Sequence, residues 1–398
     1  MPIRLFLPWR LCGHVPADRH PAHCRRIRAP STSISTGSEA DMTAERTLAE
    51  TARAIVAGGK GILAADETVS TITKRLKARE IESTSDSRRA YREMLFSTPG
   101  IDAFIGGAIL QDETIRQDSS TGMPLAALLA DRGIIPGIKV DAGVYPLAGA
   151  PGESITEGLD GLRDRLEEYR ELGARFAKWR AVIIIREGLP TARCMHANAH
   201  ALARYAALCQ ELGLVPIVEP EVLMDGAHSL ERCEEVTGSV LQAVFDELFD
   251  AKVSLEGMVL KPNMVTAGHD SARQASVEEV AAATLRTLTR HVPPAVPAVA
   301  FLSGGQGPVL ATEHLNAINQ LDGPKPWTLS FSYGRALQDE ALEVWRGRRD
   351  NVPAGQKVFY HRARCDSAAA QGGYRRDMER EAPFAQTAVP SAISTETH

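Results

Sequence analysis

Beyond residue 42 the chain alternates between two hydrophobic periods. Short apolar runs bounded by turn-forming residues read as buried strands at 61–65, 104–110, 134–140, 176–182, 215–219, 257–261, 299–303 and 328–332. Between these runs, apolar residues recur at helical spacing. Leu159, Leu162, Leu166 and Tyr169 precede Gly173, and Val277, Val280, Ala281, Thr284 and Leu288 follow a capping box of Ser276 and Glu279. Eight strands each followed by a helix predict a single (β/α)8 TIM barrel rather than two doubly wound domains. Neither a repeat nor a linker interrupts the region.

The polar residues that break the apolar runs gather at the C-terminal ends of the strands. Asp66 closes the first, Lys139 and Asp141 the third, Lys178 and Arg180 the fourth, Glu219 and Glu221 the fifth. Residues two apart share one face of a strand, so each pair points the same way. Lys261 ends the sixth run, Ser303-Gly304-Gly305-Gln306-Gly307 follows the seventh, and Tyr333-Gly334-Arg335 follows the eighth. Barrels place their chemistry at this end, and converging charges are costly unless they pair or meet a charged ligand. A lysine ending an apolar strand either lies in solvent or is a desolvated amine. Beside a second cation such an amine can attack a carbonyl and form a Schiff base. Glycine-rich loops after the seventh and eighth strands suit a phosphate, with Ser303, Gly304, Gly305, Gly334 and Arg335 as candidates. Lys139, Arg180 and Thr71 suit a second phosphate on the opposite side.

Composition narrows the reading. In 398 residues, 44% hydrophobic and 24% charged content is that of a soluble globular chain. A net charge of −5, without zinc-finger spacing or a long basic helix, argues against nucleic acid as a partner. No run of 18 apolar residues calls for a membrane span. Cys12, Cys24, Cys194, Cys209, Cys233 and Cys365 are scattered without a C-x-x-C pair, which predicts reduced thiols in a cytoplasmic protein. His196 and His200 stand four apart, but no glutamate follows His196 as a zinc protease motif requires, so they read as surface histidines. Residues 1–41 are arginine-rich and acid-poor, the composition of a transit peptide or of a disordered extension; the expectation is disorder. The barrel is expected over 42–373 and a mobile tail over 374–398.

Seven stretches together closely resemble class I fructose-bisphosphate aldolase. They are Ala64-Ala65-Asp66-Glu67, Gly137-Ile138-Lys139-Val140-Asp141, Ala177-Lys178-Trp179-Arg180, Val218-Glu219-Pro220-Glu221, Leu260-Lys261-Pro262-Asn263-Met264, Leu302-Ser303-Gly304-Gly305-Gln306 and Ser332-Tyr333-Gly334-Arg335. The resemblance runs from about Met42 to about Tyr374. It implies a barrel, a homotetramer, and reversible cleavage of fructose 1,6-bisphosphate to dihydroxyacetone phosphate and glyceraldehyde 3-phosphate in glycolysis and gluconeogenesis, with neither metal nor cofactor. It further implies Lys261 as the Schiff-base lysine, Glu219 as the proton shuttle with a carboxyl raised toward neutrality, and Asp66 as acceptor of the C4 hydroxyl proton. Lys178 would be the neighbouring cation and Glu221 would hold the charges in register. Ser303 and Arg335 would grip the C1 phosphate, with Lys139 and Arg180 near the C6 phosphate. Three departures from the animal pattern stand out. Thr68-Val69-Ser70-Thr71 replaces a serine and a glycine-containing turn, Ala142 replaces a common second lysine, and the chain ends in His398 where animal members end in tyrosine. Tyr374 is the nearest substitute.

Overall fold

The computed structural model describes residues 39–381, with side chains from residue 47 onward. Its strands are β1 (Gly61–Ala64), β2 (Ile105–Leu110), β3 (Ile135–Lys139), β4 (Gly143–Pro146), β5 (Ser154–Glu157), β6 (Phe176–Ile183), β7 (Val215–Val222), β8 (Val259–Leu260), β9 (Ala298–Phe301) and β10 (Thr328–Tyr333). Eight of them close a parallel barrel in the order β1-β10-β9-β8-β7-β6-β3-β2, while β4 and β5 form a separate antiparallel ribbon. The helices are α1 (Glu39–Ala54), α2 (Val69–Lys77), α3 (Ser85–Phe96), α4 (Asp112–Ile115), α5 (Leu125–Asp131) and α6 (Leu162–Glu171). After them come α7 (Ala192–Glu211), α8 (Leu230–Asp250), α9 (Val277–His291), α10 (Pro308–Gln320), α11 (Arg335–Trp345) and α12 (Val352–Ala370).

Period-two alternation divides the core in two. Ile62, Ala64, Ile109, Phe176, Val215, Ile217, Val259, Ala298 and Ala300 form one apolar cluster, the barrel interior. The intervening residues, among them Leu63, Ala108, Ile138, Trp179, Val218 and Leu260, belong to the cluster shared with the surrounding helices. Strands buried on both faces therefore read as continuous apolar runs. Leu48, Ala52, Ile55 and Val56, contributed by α1 and its end, join the interior cluster and plug the barrel at the starts of the strands. Glycine makes the fit possible. A Cβ at Gly106 would run into the Ile55 carbonyl, and one at Gly137 into the Phe176 ring.

All eight expected barrel strands are present, with local differences. The sixth shrinks to Val259–Leu260 because Leu255–Gly257 turns as a 3-10 helix, yet the Lys261 amide still donates to the Val218 carbonyl at 2.8 Å. The β4–β5 ribbon has no counterpart in the sequence reading; its first strand is mostly exposed and so carries no core pattern. Most of the expected N-terminal extension lies outside the described residues, although α1 already begins at Glu39. The segment 374–381, assigned by sequence to the tail, is packed: Tyr374 and Met378 are buried, and Arg362 of α12 pairs with Glu379. The rest of the tail lies outside the described residues.

Candidate active site

The inward-facing series on each strand runs from apolar at the bottom to charged at the top. On β6 it is Phe176, Lys178, Arg180; on β7 it is Val215, Ile217, Glu219, Glu221; after β8 it continues from Val259 to Lys261. Three neighbouring strands thus deliver Lys178, Glu219 and Lys261 to one place. Glu219 bridges the two lysines: its Oε1 is 3.1 Å from Lys261 Nζ and its Oε2 3.2 Å from Lys178 Nζ. Asp66, beyond the end of β1, reaches Lys178 across the mouth at 2.7 Å. Lys178, Glu219 and Lys261 are each at most 4% exposed, so these ion pairs form with little solvent screening.

The cluster sets its own protonation. Burial alone would raise the Asp66 carboxyl, but Lys178, Lys261 and Lys139 outweigh it and bring the pKa down to about 2. Burial likewise disfavours a charged Lys178, and Asp66 and Glu219 reverse this, lifting its pKa well above the ordinary value. For Glu219 burial again pushes up, yet Lys178, Lys261 and Arg180 prevail and hold the carboxyl below its usual range. The expectation of a Glu219 carboxyl raised toward neutrality does not hold for the free chain, because two ammonium groups share it.

The loop carrying Asp66 is fastened from behind. Gln338 Nε2 donates to the Ala64 carbonyl at 2.6 Å and Arg92 to the Glu67 carbonyl at 2.8 Å, while Arg75 pairs with the Glu67 carboxylate. On the far side, Asn263 accepts from the Val222 amide at 3.0 Å, tying the segment after Lys261 to the end of β7.

The candidate phosphate ligands fall into two unlike groups. Ser303 is buried just past β9, and Gly304 and Gly305 have φ of +58° and +95°, which favour glycine. A Cβ at Gly305 would lie 3.7 Å from Arg335 Nη2, so the arginine stands over this loop. Gly334, at the N-cap of α11, places Arg335 there as the helix's first residue. Arg335 is exposed and has no ion-pair partner among the described residues. The other group is already neutralised. Lys139 Nζ is 2.5 Å from Asp141 Oδ1, and Arg180 pairs with Glu221, which raises its pKa against the opposing effect of burial. Thr71 stands apart, exposed, with its hydroxyl 3.0 Å from that of Thr68 in the first turn of α2.

One residue without an assigned role in the sequence reading joins the site. Ser332 faces inward near the top of β10, and its buried Oγ has no hydrogen-bond partner among the described residues. The signal was available in its period-two spacing from Ser330. His196 and His200 are exposed on α7, and His200 pairs with Glu247 at 2.9 Å, consistent with surface positions.

Residues 47–391 match the family described as fructose-bisphosphate aldolase class-I. A probable fructose-bisphosphate aldolase class 1 of Xylella fastidiosa is 56% identical over 329 residues, covering 82% of this chain and 98% of that protein. Fructose-bisphosphate aldolase 4, cytosolic, of Arabidopsis thaliana is 53% identical over 321 residues, covering 81% of this chain and 82% of that protein. The fructose-bisphosphate aldolase of Plasmodium falciparum, solved in complex with TRAP and a small-molecule inhibitor, superposes with a TM-score of 0.82 at 49% identity. That superposition covers 84% of this chain and 96% of the solved one.

Proposed function

The chain belongs to the class I fructose-bisphosphate aldolase family, and from that premise we propose which of its residues perform the family's reaction. The enzyme reversibly cleaves fructose 1,6-bisphosphate to dihydroxyacetone phosphate and glyceraldehyde 3-phosphate through a lysine Schiff base. The observation that carries the assignment is the Glu219 carboxylate held between Lys261 and Lys178 at 3.1 and 3.2 Å.

Lys261 gives its proton to Glu219 and attacks the C2 carbonyl. While Lys261 is a neutral carbinolamine, one of the cations holding Glu219 low is gone, so the carboxyl retains the proton until it protonates the leaving hydroxyl as water. The iminium restores the charge. Asp66, ionised because Lys178 lies 2.7 Å away, accepts the C4 hydroxyl proton. The C3–C4 bond breaks, its electrons pass into the iminium to give an enamine, and the aldehyde leaves. Protonation at C3 and hydrolysis then release the second product. Lys178 remains cationic throughout and holds both carboxylates; Glu221 orients Arg180.

Ser303, Gly304, Gly334, Arg335 and Ser332 bind the C1 phosphate, with Arg335, which has no ion-pair partner among the described residues, supplying charge. Lys139 and Arg180 bind the C6 phosphate after releasing Asp141 and Glu221, and Thr71 contributes a hydroxyl from α2. The functional unit is a homotetramer in the cytosol. Supporting this, Phe249 on α8 is 81% exposed, a side chain that subunit contact would cover. No helix among the described residues is long and apolar enough to cross a membrane.

Borohydride with dihydroxyacetone phosphate is expected to inactivate the enzyme and place one reduced adduct on the peptide containing Lys261. Lys261→Met should lose turnover with its circular dichroism unchanged. An adduct on Lys178 or Lys139 would overturn the assignment.

A further inference from the structure

Away from the barrel mouth, three side chains of different donor type meet on the outer helical layer. His361 and Cys365 stand four residues apart on one face of α12, and Glu379 faces them from the 3-10 turn Arg376–Arg380. One donor atom from each lies within 4.8 Å of the others, and Cys365 Sγ is 3.9 Å from His361 Nε2. Tetrahedral zinc with Zn–S of about 2.3 Å and Zn–N of about 2.0 Å sets these atoms roughly 3.5 Å apart, so little movement is needed. Cys365 is fully buried and His361 only 9% exposed, unlike a chance group of surface acids.

We propose that His361, Cys365 and Glu379 form a binding site for a borderline divalent cation of the zinc class, which clasps the 376–380 turn onto α12. A mixed nitrogen, sulfur and oxygen set suits zinc, and water completes the fourth position. Glu379 is oriented for the task. Arg362 grips both its oxygens, Nη1 donating to Oε1 at 2.9 Å and Nη2 to Oε2, and the Tyr374 hydroxyl donates to Oε1 at 2.8 Å; such outer partners fix a ligating carboxylate, and Oε2, with a single donor, keeps a lone pair for the metal. Two cations stand near the site, Arg362 and Arg364; they are offset by Glu379, by Glu381, which pairs with Arg364, by Glu340 nearby and by the thiolate formed on binding. Binding replaces the Cys365 Sγ–H bond by a sulfur–metal bond, and the proton passes to solvent. The site takes no part in the lysine chemistry.

The test uses the full chain, freed of metal by a chelator and titrated with cobalt(II), then zinc(II). We expect one cobalt per chain, a thiolate charge-transfer band in the near ultraviolet that zinc abolishes, and a melting temperature that rises with zinc concentration. Cys12 and Cys24 are alternative thiols, so the band must persist in C12S/C24S. It must vanish in C365S, and affinity must fall tenfold or more in H361Q, with fructose-bisphosphate cleavage unchanged in both. H361Q decides the matter if C365S fails to fold. Absence of the band in the wild type, its persistence in C365S, or its loss in C12S/C24S would overturn the proposal.

Discussion

At the scale of single residues, Lys178 is the group on which the others depend, because it contacts Asp66 at 2.7 Å and Glu219 at 3.2 Å. Glu219 is buried and Asp66 largely so, and burial would raise both carboxyls; it is the lysine charges that bring Asp66 to about 2 and Glu219 below its usual range. In Lys178→Met the burial effect loses its main opponent and both pKa values move up. Carboxylates that were ionised through the acid range then become protonated at higher pH, so activity falls earlier on acidification. The acid limb of the kcat/KM profile should shift upward by a unit or more, with a loss at the optimum of at least a hundredfold, about 2.7 kcal/mol. A variant that loses activity with an unmoved acid limb would show that Lys178 does not set these carboxyls. Which residues face the mouth was legible in the sequence, since period two fixes the side of a strand. Which charges pair was not. Arg180 stands opposite Glu219 in the β6–β7 register yet pairs with Glu221. Side-chain reach, not spacing, decides such a choice.

At the scale of elements, the strands were readable because burial on both faces makes them continuous apolar runs, and α9 because Ser276 and Glu279 announce its start. Both reciprocal bonds of that capping box form, at 3.2 and 2.9 Å. Ser276→Ala should cost about 1 kcal/mol, seen as a lower denaturant midpoint at unchanged slope; a neutral result would mean the α9 terminus contributes nothing to global stability. The glycines inside strands were harder to interpret. Gly137 of β3 and Gly107 of β2 both face the Phe176 ring of β6, so one large side chain fills the space that two neighbours leave open. Gly137→Ala should therefore destabilise by roughly 1 to 3 kcal/mol through overpacking. Because the clash is with one ring, Phe176→Leu should recover part of that loss, and the double variant should be more stable than the sum of the singles. Strict additivity would place the strain elsewhere.

At the scale of the whole molecule, the segment that closes the barrel lies next to the stretch the sequence sets aside as an extension. The composition break near residue 41 was legible, but the role of α1 was not, because a plug contacts strand starts distant in sequence. Leu48, Ala52, Ile55 and Val56 share the interior cluster with Phe176, Val215 and Val259. Gly106 is close enough to the Ile55 carbonyl that no Cβ would fit between them. Of the described structure, removing residues 1–41 takes away the first turn of α1 and none of these side chains. The melting temperature should then move by less than about 5 °C, the equivalent of order 1 kcal/mol, and turnover should be retained. Extending the deletion to residue 56 strips the interior of its floor and admits water beneath Phe176. That chain should fail to fold cooperatively, and Ile55→Ala in the full chain should already cost roughly 2 to 5 kcal/mol. Thermal melts of the three proteins with parallel cleavage assays decide it: if the 1–41 deletion melts as early as Ile55→Ala, the first 41 residues contribute to the barrel and the boundary drawn at Met42 is wrong.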